Sequence, residues 1–124
     1  MLADIIFSQQ STVEPNGNRI ITNPNVLFRL PSFPAVYSFA ISVIINDIEA
    51  SKLNHAKLYF LAENGETKEI FNQDIPHEVK QDENLAIGIN VQNFDISAEG
   101  KMTAIFEADD KLLAKKEIYF SKEK

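Results

Sequence analysis

Cysteine and tryptophan are absent from this 124-residue chain, and its four glycines stand far apart. The lack of cysteine excludes disulfides, thiol catalysis and cysteine-ligated zinc, and it agrees with a reducing compartment, so we expect a cytoplasmic protein. Isolated glycines do not form a glycine-rich phosphate-binding loop, and the chain has no G-x-S-x-G nucleophile motif. Several common kinds of catalytic site are thereby removed.

Basic residues and long apolar runs are scarce as well. Residues 1–62 carry four acidic and four basic side chains, whereas residues 63–124 carry fourteen acidic and eight basic ones and hold the whole net charge of −6. Because nucleic-acid binding depends on clustered lysine and arginine, we expect no nucleic-acid partner, and the acidic half would favour a basic protein surface. No apolar run approaches the ~20 residues of a membrane-spanning helix, and residues 1–7 lack the basic region of a secretion signal, so we expect no membrane partner.

The longest apolar stretch is Leu30–Ile45, whose alternating part follows two prolines. One face of this part carries Tyr37, Phe39, Ile41, Val43 and Ile45, and the other carries Ser38, Ala40, Ser42 and Ile44. A period of two predicts a β-strand with one strongly apolar face, which we interpret as the central strand of the core. We expect its small face to be covered by the N-terminal segment, a loop or a second subunit, which makes Ser38 and Ser42 candidate interface residues.

Further strands are predicted by shorter alternating or apolar runs. They are residues 3–8, 19–22, 26–30, 55–63, 66–72, 85–91, 101–108 and 111–121. Asn64-Gly65 predicts a type I′ hairpin turn, and Asp109-Asp110 predicts another turn. Gly88 suggests a bulge or a close backbone approach, and the poor alternation after Leu112 suggests a bulge in the last strand. Residues 48–54, with one helical turn or 3₁₀ segment, and residues 73–84 are interpreted as connections.

These signals together predict an all-β chain folded as a single domain over residues 1–124. Seven to nine short strands at a spacing of about ten residues are typical of an antiparallel β-sandwich with immunoglobulin-like, Greek-key connections. A closed barrel is the alternative.

No residue pattern predicts a metal or cofactor site. His55 and His77 lack the spacing of metal ligands, so we interpret both as structural or exposed. Asp95 and Asp109 lie on connections at opposite ends of one strand, about 25 Å apart by strand rise, which argues against a shared calcium site. We therefore expect no cofactor and no catalytic residues.

Three segments resemble short, uncharacterised β-sandwich proteins of bacteria and bacteriophages. They are Ala3–Phe7, Leu30–Pro34 and the closing stretch Glu99–Leu113, in which a glycine, a strand, an acidic turn and a last strand follow one another. The closing stretch is also similar to the last hairpin of many immunoglobulin-like domains. The resemblance implies a sandwich fold and association with a phage or prophage, and it assigns no site residues because the group has no established activity.

Three hypotheses about function follow. The first is a non-catalytic interaction or structural module with a protein partner or a second copy of itself. The second is a carbohydrate-binding domain that uses Tyr59 and Tyr119 as exposed aromatic platforms, although tyrosine is also simply common in strands. The third is an enzyme that relies on two carboxylates with separated pKa values.

Overall fold

The computed structural model describes residues 2–46, 53–75 and 84–123, and within them the protein is all-β with no helix. Nine strands follow one another along these described residues, in agreement with the predicted seven to nine. They are β1 (Leu2–Val13), β2 (Arg19–Pro24), β3 (Leu27–Leu30), β4 (Ala35–Asn46), β5 (His55–Ala62), β6 (Thr67–Asp74), β7 (Leu85–Ile96), β8 (Gly100–Ala108) and β9 (Lys111–Lys122).

The strands form two sheets. The four-stranded sheet has the order β2-β1-β4-β7, and the five-stranded sheet has the order β3-β9-β8-β5-β6. All pairs are antiparallel except β3–β9, which is parallel, with Leu27 opposite Tyr119. The predicted antiparallel arrangement therefore holds for the other strand pairs of the described residues and not for this one. A strand of four residues carries too few residues for its sequence to reveal which neighbour it joins or in which direction.

The inner faces of the two sheets meet in one apolar core, and β4 supplies its middle as predicted. Phe39 is 2% exposed, and Ile41, Val43 and Ile45 have no exposed surface. The ring of Phe39 lies 6.2 Å from that of Phe60 on the opposite sheet. The alternation of β4 thus places every odd-numbered apolar side chain from residue 39 onward against the other layer, where burial of a large side chain contributes roughly 1.5–3 kcal/mol.

Both predicted hairpin turns are present, but the geometry predicted for the first occurs in the second. The turn after β5 is a hairpin, as predicted, but only Gly65 of the Asn64-Gly65 pair has positive φ, at 89°. The Gly65 amide bonds the Ala62 carbonyl at 3.0 Å, which is a three-residue loop with a left-handed glycine, so the type I′ prediction is wrong. Positive φ at both central residues, the type I′ signature, occurs instead at Asp109 (49°) and Asp110 (66°).

The strand pairs of the described residues contain three register shifts, of which the sequence predicts one. The pairing of β8 with β9 shifts register between Phe106 and Glu107, which skips Leu113 and confirms the bulge expected in the last strand. Residues 48–52 of the proposed helical turn and residues 76–83 of the 73–84 connection, with His77, lie outside the described residues. Gln73 and Asp74, expected in that connection, instead belong to β6. Leu53 and Ile75, the described residues next to these two gaps, are buried.

Candidate interaction surface

The outer face of β4 is covered by the hairpin of β1 and β2. Ser42 and Ala40 have no exposed surface. The Ser42 hydroxyl donates to Ser11 Oγ at 3.1 Å, and Arg19 Nη1 donates to the same oxygen at 2.9 Å. The N-terminal segment is therefore the part of the chain that lies on this face, and it leaves no surface of Ser42 for another molecule.

Arg19 continues this cover as far as β7. Its guanidinium lies on Gly88 so closely that a Cβ built there would be 2.0 Å from Nη1. The pairing with β4 keeps its register at Gly88, so the bulge is absent, and the close approach is made by a side chain rather than by another backbone. This approach explains why a residue without a side chain stands there. Arg19 Nε is buried and has no hydrogen-bond partner among the residues that the structure describes.

Ser38 lies beyond the cover. Its side chain is exposed, and its hydroxyl accepts the Asn93 amide at 3.1 Å, next to the register shift between β4 and β7. Asn93 adopts a φ of 53° at this irregularity. The structure therefore separates the two candidate serines: Ser42 is under the hairpin, and Ser38 fixes a bulge at the surface.

The two candidate tyrosines lie on the outer face of the five-stranded sheet in different settings. Lys57 Nζ is 5.1 Å from the centre of the Tyr59 ring, and the Tyr59 hydroxyl donates to Glu107 at 3.0 Å. This hydrogen bond raises the pKa of Tyr59. Tyr119 is 41% exposed and donates to Glu117 at 2.6 Å, which raises its own pKa and lowers that of the carboxyl. Of the two rings, Tyr119 is the one over which no lysine of the described residues lies.

An open groove of about 320 Å³ lies near Tyr119, where β5, β7 and β8 end or begin. Its wall includes Glu63, Asp95 and Glu99. Glu63 accepts the Lys101 amide at 3.0 Å, and Glu99 accepts the Lys122 amide at 2.5 Å. Both glutamates thus have a structural bond to the backbone, and Tyr119 lines the adjoining depression with Leu27.

A histidine network occupies the opposite end of β5. His55 Nδ1 lies 2.7 Å from an Asp74 carboxylate oxygen, and Nε2 bonds Asn72. The bonds to Asp74 and then Asn72 raise the pKa of His55 above its usual value. Asp109 accepts the backbone amides of Asn54 and His55. Across residues 2–46, 53–75 and 84–123, no group of three or more acidic or histidine side chains is placed to hold a metal ion.

The four edge strands of the two sheets differ in how they are protected from pairing with other chains. Short length, proline and charged side chains are the usual protection. β2 has six residues and ends in Pro24, β3 has four residues, and β6 has eight with Lys68, Glu69 and Asp74. β7 has twelve residues, no proline and a single charge, Asp95, near its end.

Within the described residues β7 pairs with β4 alone, so its other side is an edge. Leu85, Ile87 and Ile89 point inward but are only half-buried, whereas their partners on β4 are fully or largely buried. Near the far end Lys68 from β6 reaches over, with its Nζ 4.3 Å from the Phe94 ring centre. We call the regular stretch Leu85–Val91 the open edge of β7.

The sequence carries a signal for this surface that is not a catalytic motif. Residues 85–94 form an uncharged run of ten in a chain that is 24% charged. Alternation identified a strand there, but alternation does not distinguish a central strand from an edge strand. The absence of lysine and proline from a long strand is the property that matters at an edge.

Comparison with known proteins identifies no relative of this chain. No protein-family model, no curated protein and no solved structure matches the chain. The described residues include no helix that is long and apolar enough to cross a membrane.

Proposed function

We propose that the protein is a non-catalytic interaction or structural module with an immunoglobulin-like, Greek-key sandwich. The strand orders support this topology. β1-β4-β7 and β5-β8-β9 correspond to the A-B-E and C-F-G groups of immunoglobulin-like domains, and β6 extends the second group. A protein partner in the cytoplasm, with no nucleic acid or membrane involved, fits the composition, and the resemblance to phage-borne sandwich proteins suggests a phage or prophage setting.

The observation that carries the proposal is the open edge of β7. An unprotected edge strand presents unpaired backbone amides and carbonyls to which an extended segment of another protein adds as a further strand. Half-buried Leu85, Ile87 and Ile89 lie beside that added strand, so alternate apolar side chains of the partner would complete the core at this side. The binding mode supplies affinity through the backbone and specificity through the side-chain positions.

Selection from a library of twelve-residue peptides tests this mode of binding. We expect selected peptides to alternate apolar and polar residues, to carry little charge and to protect the amides of β7 from hydrogen exchange. Ile89→Lys introduces an inward-pointing charge at the open edge and should abolish their binding. Ile70→Lys, the same substitution at a half-buried position of β6, is the matched control and should leave binding intact.

Circular dichroism and thermal unfolding establish that both lysine variants fold before binding is compared. Peptides that bind the Ile89→Lys variant as well as the unchanged protein, or that protect β6 rather than β7, would overturn strand addition at this edge.

A carbohydrate-binding function is the second candidate, and Tyr119 is the observation that favours it. Its partly exposed ring lies beside a groove with carboxylates, and carbohydrates bind such combinations by stacking and hydrogen bonding. Glycan-array screening should then give binding that Tyr119→Ala removes. Tyr59→Ala should leave it unchanged, because Lys57 already lies over that ring. Equal loss in both variants, or no bound glycan, rejects the Tyr119 groove.

A further inference from the structure

We infer that the strand added to the open edge of β7 is β7 of a second copy of this chain, antiparallel and related by a two-fold axis. The inference rests on the proposed strand addition and names its partner. A two-fold axis perpendicular to the sheet joins the two four-stranded sheets into one continuous sheet of eight strands. It also keeps the inward side chains of both copies on the same side.

Charge favours a second copy at this place. Each copy carries a net charge of −6, so two copies repel one another at most surfaces. The run Leu85–Phe94 has no charged residue, and Asp95 lies beyond the regular stretch. Antiparallel pairing also directs the two Asp95 residues away from each other, whereas parallel pairing would set them side by side. The open edge is thus a described surface on which two acidic copies meet without opposed carboxylates.

Self-complementarity fixes the register. With Ile89 opposite Ile89 of the second copy, Ile87 faces Val91 on the inner side, and cross-strand pairs of β-branched residues are among the favourable ones. On the outer side Gly88 faces Asn90 of the second copy. A register centred on Gly88 is disfavoured, because the Arg19 guanidinium lies directly on Gly88 and the two cations would meet at the axis.

The size of the contact sets its strength. With Ile89 at the axis, residues 87–91 of each copy pair with one another, and five paired residues from each copy form a contact below the lower limit of a standard interface, about 1,200 Å² in total. Such an interface associates weakly, so the dimer should form as the concentration rises. Lys68 over the Phe94 ring limits extension of the pairing towards Ile96.

The absence of cysteine from the natural chain permits a direct test of the register. Ile89→Cys should form a disulfide-linked dimer under mild oxidation, because residue 89 faces itself across the axis. Ile87→Cys faces position 91 and should cross-link at least roughly tenfold more slowly, since it depends on random encounters between copies. Thr67→Cys, on the protected edge β6, gives the background rate. Cross-linking at 87 or 67 that matches the rate at 89 overturns the inference.

Sedimentation equilibrium tests the interface without a covalent bond. The unchanged chain should show a monomer–dimer equilibrium whose dimer fraction increases with concentration. Asn90→Lys places a cation opposite Gly88 and Arg19 of the second copy and should weaken dimerisation at least tenfold. Thr67→Lys makes the same change of charge on β6 and should leave it unchanged. If the chain stays monomeric at high concentration but still binds peptides at β7, the dimer is rejected and the proposed strand addition is not. If the chain neither dimerises nor binds peptides at β7, the proposed function is rejected as well.

Discussion

The outer faces of the two sheets are separated from their surroundings in different ways. On the four-stranded sheet, the β1–β2 hairpin lies on β4 and leaves Ser42 with no exposed surface. On the five-stranded sheet the outer face is in water and carries opposite charges side by side, as where Lys57 is paired with Glu107. One sheet is shielded by a segment of its own chain, and the other is shielded by charge.

The two kinds of shielding differ in whether they extend to the edge strand of the sheet. Charged residues continue onto the edge strand β6, where Lys68 and Glu69 discourage pairing. The hairpin reaches only as far as the Arg19 guanidinium over Gly88, which is on the outer face of β7 and not along its edge. A sheet protected by a segment of chain is therefore left open where that segment ends, and this is why the two edge strands on the same side of the protein differ.

The largest difference in stability should appear between two aspartate substitutions, one at a buried position of the four-stranded sheet and one at an exposed position of the five-stranded sheet. Phe39→Asp puts a carboxylate in the core, where Phe39 is 2% exposed. Loss of a buried phenylalanine costs about 3–5 kcal/mol, and an unpaired buried charge adds to it, so the total approaches the 5–15 kcal/mol by which a domain is stable. We expect no soluble protein on expression.

Leu61→Asp is the matched control on the exposed face of the five-stranded sheet, where Leu61 is 36% exposed. It should change the free energy of unfolding, measured with urea, by about 1 kcal/mol or less. Normal folding of the Phe39→Asp variant would contradict the placement of β4 at the centre of the core.

The course of β4 was predictable because periodicity and hydrophobicity agree over nine residues. The alternation of Tyr37 to Ile45 determined both its strand character and the face that is buried. Gly88 was predictable for a similar reason: a glycine within a regular strand needs a cause, and the cause is Arg19. These are local signals, each contained in a few consecutive residues.

What sequence reasoning missed depends on partners distant in the chain. The parallel pairing of Leu27 with Tyr119 joins residues 92 positions apart, and no local pattern encodes it. The hydrogen bond from the Tyr59 hydroxyl to Glu107, which engages one of the two expected aromatic platforms, joins residues 48 positions apart. The exposed edge of β7 is a property of the strand order, so it becomes visible only when the sheets are assembled.

Substitution of Gly88 should have an intermediate effect, and it measures how much the contact between the β1–β2 hairpin and β7 contributes to stability. In Gly88→Ala the new methyl group displaces the Arg19 guanidinium and breaks its bond to Ser11, which should cost about 1 kcal/mol. In an Arg19→Ala background nothing is displaced, and replacing a strand glycine should then be neutral or stabilise by about 0.5 kcal/mol. Urea unfolding of the four proteins gives the coupling energy between the two sites, and a coupling of zero would show that the hairpin does not depend on this contact.

The smallest effect concerns the charged network of the five-stranded sheet around His55, which should respond to pH. The pKa of His55 is raised, chiefly by its bond to Asp74. A raised pKa means that the network stabilises the fold fully below the usual histidine pKa, near 6.5, and that this contribution is lost as the pH rises through the folded value. Asp74→Asn should lower the pKa of His55, followed by NMR of its imidazole protons. Asp110→Asn removes a carboxylate from the turn between β8 and β9, whose Asp109 amide donates to the His55 carbonyl. An equal decrease in that variant would show that general charge, rather than the Asp74 contact, sets the histidine pKa.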